Sequence, residues 1–194
     1  MDDARTVLHR YLQSARDALL WKLEGLDERA LRRPRTPTGT NLLGLVKHAA
    51  GVEIGYFGET FGREFPGLDA LAWYREDAPP NADMFASADE SVEDVVALYR
   101  RVWAFADELI LTAPLDTPGQ VAWWRAQDNP VPLHLVLVHV ISDLTRHAGH
   151  ADILRELADG TVGLRAGNGN LPGLTPAEWA AHVAELERIA QGGA

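Results

Sequence analysis

The chain has 194 residues, about 46% of them hydrophobic and 24% charged, which suits a folded protein with one sizeable core rather than a disordered one. Its net charge of −10 argues against the cationic surfaces that bind nucleic acid or anionic membranes. It has no cysteine, so disulfides, thiolate metal ligands and a cysteine nucleophile are excluded, and any thiol chemistry needs a thiol brought in with a substrate.

No apolar run reaches the length of a membrane span, and the charged start MDDARTVLHR does not read as a signal peptide, so a cytoplasmic location is expected. Helical periodicity dominates and no alternating strand stands out. The first helix is predicted over about Asp2 to Gly25, with an apolar stripe of Val7, Leu8, Tyr11, Leu12, Ala15, Leu19 and Leu23. A link rich in breakers, RRPRTPTGT, follows. The second helix is predicted from Asn41 to Thr60 with Thr40 as N-cap, and its inward face reads Leu45, His48, Val52, Tyr56. Residues 61–86 form a long aromatic and proline-containing connection, expected to pack over an end of the bundle.

The third helix is predicted to begin at Ser87, where Glu90 has capping-box spacing, and to run to Thr112. The fourth follows, with Pro132 in its first turn and Gly160 at its stop. A short last helix is expected behind Thr175, Pro176 and Glu178. Together these make an all-α chain, a four-helix bundle with long connections and a short C-terminal helix, forming one domain over 1–194.

The fourth helix carries the chemistry. Its inward stripe is Val136, Val140, Leu144, Ala151 and Leu154. Beside it, Asp143 and His147 are four apart and therefore stacked on one face. A carboxylate and an imidazole so placed can hold one divalent ion, with His48 of the second helix as third ligand. The competing reading is an Asp–His hydrogen bond on a half-exposed face, with His48 a satisfied core histidine. What favours the metal is the cost of a buried carboxylate that has no partner. The donor set suits Zn²⁺, Ni²⁺, Mn²⁺ or Fe²⁺ and leaves a coordination position open. His139, one turn before Asp143, is a candidate to orient it. His150 is a candidate proton shuttle at the mouth of the site. In VAWWRAQ, Trp123 and Trp124 either wall a substrate pocket or plug the bundle, and Arg125, the cofactor-binding candidate, either meets a substrate carboxylate or is solvated.

The run LVLVHVISDLTRHAGHADILRELADG resembles the C-terminal helix signature of the DinB/YfiT-like family, in its actinobacterial branch. The segment NLLGLVKHAAGVEIGYF resembles the motif that carries that family's first metal histidine. The resemblance implies a four-helix bundle, often a homodimer, with a divalent metal, zinc or nickel foremost, on His48, Asp143 and His147. The family usually has His or Glu where this chain has Asp143, and Asp is one methylene shorter. Characterised relatives include a mycothiol-dependent maleylpyruvate isomerase and S-transferases that use mycothiol or bacillithiol. The implied activity is a metal-dependent thiol S-transferase or isomerase joining a mycothiol-type thiol to a small electrophile. A metal-dependent hydrolase and a non-catalytic metal- or ligand-binding stress protein are the alternatives.

Overall fold

The structure is a computed structural model in which residues 3–192 are described. Four long helices form the bundle: α1 (Ala4–Trp21), α3 (Leu42–Phe57), α4 (Val92–Thr112) and α5 (Leu133–Asp159), with a short α2 (Glu28–Arg32) between the first two. The helix α3 packs on both α4 and α5, and α1 lies chiefly along α5. Nearly every residue of α3 is buried, which is why its sequence is a continuous apolar run rather than a stripe. No described helix is long and apolar enough to cross a membrane.

Several boundaries differ from the sequence expectation. The predicted start at Asp2 lies outside the described residues, and Asp3 caps α1 by accepting from the Thr6 amide at 2.8 Å. Tyr11 is not on the inward stripe but 60% exposed, and the fully buried Arg16 enters the core beside Leu12 and Leu19. Its guanidinium donates through Nε to Glu53 of α3 at 3.0 Å and through Nη1 to Asp107 of α4 at 2.8 Å, so one cation ties three helices.

Asn41, not Thr40, caps α3, accepting from the Gly44 amide at 2.8 Å. The helix α4 begins at Val92 behind a capping box of Ser91 and Asp94, later than expected. Glu90 does accept from the Ser87 amide at 2.8 Å, but the same carboxylate oxygen takes the ammonium of Lys47 at 2.7 Å. The Glu90 carboxylate thus serves a buried lysine of α3 as well as the turn, and α4 starts only behind it.

Pro132 occupies the cap position just before α5, and Gly160 ends that helix in the left-handed region at φ 75°, which glycine adopts without strain. Ahead of α5, Pro118–Gly119 (β1) pairs antiparallel with Val131–Pro132 (β2), a two-residue ladder absent from the sequence reading. The last helix, α6 (Pro176–Ala190), has its expected Thr175–Glu178 capping box, yet none of its residues is buried.

The long connection after α3 packs along the flank of that helix instead of over a bundle end. Glycines make this possible. A Cβ at Gly51 would lie 3.2 Å from the Trp73 ring, and one at Gly55 would lie 3.1 Å from Trp123 and 3.3 Å from the Tyr74 hydroxyl. Without side chains at these positions, three aromatic rings rest directly on α3.

Candidate metal centre

The stripe Val136, Val140, Leu144, Ala151 and Leu154 is buried throughout and fixes the rotation of α5. One step around the helix, Asp143 and His147 then face α3, where His48 sits between the buried Leu45 and Ala49 and the half-buried Val52. Each of the three offers one ligand atom, and these atoms all lie within 4.8 Å of one another. The rings of His48 and His147 meet edge to face with centroids 4.7 Å apart.

The contacts inside this trio do not satisfy it. Asp143 Oδ2 and His147 Nε2 are 3.6 Å apart, too far for a hydrogen bond. Asp143 Oδ2 and His147 Nδ1 are both buried with no hydrogen-bond partner. A buried carboxylate oxygen without a partner is costly, and a divalent cation beside Asp143 Oδ2 would remove that cost. Burial, and then the neighbouring His48, depress the pKa of His147, although Asp143 opposes them. The imidazole is therefore held neutral, the form that binds a metal. Two imidazoles and a carboxylate around one point fit a divalent transition metal such as Zn²⁺ or Ni²⁺.

His48 has a partner the sequence did not suggest. Its Nδ1 lies 2.6 Å from Asp83 Oδ2, in the connection between α3 and α4. That bond depresses the Asp83 pKa, so the carboxylate stays charged. An imidazole held through Nδ1 presents Nε2 to an ion, the arrangement that orients and strengthens a histidine ligand. Nothing in the local sequence marked Asp83, which is one of several acidic residues in that connection and 35 positions from His48.

The other candidates sit around the trio. The His150 ring is 5.4 Å from that of His147, on a largely exposed position. His139 packs against Tyr56 at 4.8 Å and Trp124 at 5.0 Å. The indoles of Trp123 and Trp124 both donate to the Tyr56 hydroxyl, at 3.3 and 3.2 Å, which closes this aromatic cluster. Arg125 is exposed and donates to Asp128 at 2.7 Å. Beside His48 opens a cavity of about 560 Å³, walled by Val52, Tyr56, Tyr74, Asp83 and Trp123, with Arg75 as its arginine. Of the trio His48 lines this cavity, which is large enough for a small molecule.

Residues 7–160 match the protein family described as MST: Mycothiol-S-transferase. The chain belongs to the mycothiol S-transferase family. The match runs from within α1 to the glycine that ends α5, takes in all three members of the trio, and leaves α6 outside. Comparison with curated proteins gave no match. Membership agrees with the all-α bundle.

Proposed function

We propose that the protein is a divalent-metal-dependent S-transferase or isomerase that joins a mycothiol-type thiol to a small electrophile. One observation carries this reading: the buried, unpartnered Asp143 Oδ2 belongs to a trio whose ligand atoms, with those of His147 and His48, lie within 4.8 Å of one another, and His48 also lines an open cavity. A bound Zn²⁺ or Ni²⁺ would lower the pKa of a thiol and keep it as thiolate near neutral pH. The chain supplies no sulfur, so the nucleophile arrives with the cosubstrate.

The residues divide the remaining work. His48, Asp143 and His147 form the ion site, and Asp83 fixes the ring of His48. Tyr74 and Trp123 give the cavity flat apolar walls. His150, exposed at the edge of the trio, takes the proton that the thiol gives up when it ionises, before the sulfur–carbon bond forms. Arg125, two residues after Trp123, meets an anionic group of the cosubstrate once it leaves Asp128. A reduced low-molecular-weight thiol places this activity in the cytoplasm. A homodimer belongs to the same reading, supported by exposed apolar side chains at Ile153 and Leu157 on α5, and sedimentation of the purified chain tests it.

Elemental analysis of untagged protein beside His48→Ala tests the centre, and thiol consumption with a panel of electrophiles tests the reaction. About one ion per chain, lost in the variant, with turnover that needs the thiol, is the expected result. Turnover by the loaded protein without thiol would make it a hydrolase. Failure to bind Zn²⁺, Ni²⁺ or Mn²⁺ would end the enzymatic reading.

A further inference from the structure

A second cavity, of about 790 Å³, lies on the other side of the long connection, between that segment and α4. It is larger than the one at the trio and lies within the range that holds small molecules. Its walls are apolar and partly aromatic, chiefly Leu71, Trp73, Phe85, Val95 and Leu98. Trp73, Pro79 and Ala82 line both cavities, so they form the partition between them. The consecutive residues Lys47 and His48 line opposite chambers.

Lys47 is the unusual feature. The residue is 1% exposed, yet its ammonium borders an apolar cavity. Nζ donates to Glu90 Oε2 at 2.7 Å and to the Phe85 carbonyl at 3.0 Å. An ammonium has three donors, and the third finds no acceptor among the described residues. The ring of Trp73 lies 4.9 Å from Nζ and that of Phe85 5.9 Å, so the ammonium lies over two aromatic faces.

These facts specify an occupant. The spare donor asks for one acceptor, and the aromatic walls ask for a flat apolar body. Glu90 already neutralises Lys47, so a second anion would be buried without compensation. At the rim Arg101 is opposed by Asp89 and Asp94, which gives an anion no net attraction. We infer that this chamber is a second small-molecule site, separate from the metal centre, that takes a neutral aromatic molecule carrying one hydrogen-bond acceptor, placed on Lys47 between Trp73 and Phe85.

The probe is 6-propionyl-2-(dimethylamino)naphthalene, a neutral aromatic ketone whose emission moves to the blue in apolar surroundings. Titrated into the full chain, it should bind saturably with a blue shift. Binding should be lost in Ala97→Trp, which fills the chamber from an exposed position on α4, and retained in His48→Ala. The parent 2-(dimethylamino)naphthalene, which lacks the carbonyl, should bind about tenfold more weakly to the wild type. Lys47→Met should erase that difference, and the wild-type comparison carries the test alone if the variant does not fold. No saturable binding, equal binding in folded Ala97→Trp, or loss in folded His48→Ala would overturn the inference. So would 2-naphthoate binding as tightly as the ketone.

Discussion

Asp83→Ala removes the carboxylate that holds the ring of His48 while leaving all three proposed ligands in place. The bond is 2.6 Å long, in the range of strong charge-assisted hydrogen bonds. Partners of this kind behind a metal-bound histidine are worth roughly 10–100-fold in metal affinity. The side chains of His48 and Asp83 are 23% and 36% exposed, so water can replace part of the interaction, and the low end applies. The expected loss is about tenfold in Kd for Zn²⁺, or about 1.4 kcal/mol. Competition against a chromophoric chelator measures it. Asp89→Ala, in the same connection, controls for the change in net charge. If Asp83→Ala binds Zn²⁺ as tightly as Asp89→Ala, His48 is not oriented by Asp83 and the reasoning fails.

Four further outcomes follow from the same structure. Asp143→Asn, which removes the anionic ligand, should release the metal as His48→Ala does, with the helical circular dichroism of both unchanged. Arg16→Met strands the fully buried Glu53 and should cost about 3–5 kcal/mol in urea denaturation, much of it recovered by adding Glu53→Leu. Gly44→Ala places a Cβ 1.8 Å from the Met84 carbonyl oxygen, so it should destabilise by about 1–3 kcal/mol and weaken metal binding by shifting its neighbour Asp83. The depressed pKa of His147 means that its neutral form favours the fold above the usual imidazole range, and that this contribution is lost progressively as pH falls from that range to the lower, folded value. Metal retained on dialysis at a pH where free imidazole is half protonated, and released at lower pH, is the expected pattern.

The legible parts of the sequence were those decided locally. The four long helices follow from apolar spacing, the Thr175–Glu178 cap and the Gly160 stop from residue chemistry, and the pairing of Asp143 with His147 from one turn of helix. His48 could be set against that pair because a bundle places inward residues of neighbouring helices together. What escaped depends on partners distant in the chain. Ser87 and Glu90 have the spacing of a cap, but the buried ammonium of Lys47, 43 residues earlier, takes the Glu90 carboxylate. Tyr11 fits an apolar stripe that Arg16 displaces, because Glu53 and Asp107 on two other helices make the arginine acceptable inside. Asp83 carries no pattern at all, and only the folded connection brings it to His48.

That last bond separates two properties of a single imidazole. The helix α3 is enclosed almost all round, so the place of His48 is settled by the most heavily packed segment of the molecule. The direction its ring faces is settled by a carboxylate on a half-exposed loop. Where the site stands and how it is aimed thus answer to different parts of the chain. A change confined to the Asp83 side chain would therefore alter the aim of the imidazole while leaving the place of His48 on α3 as it is.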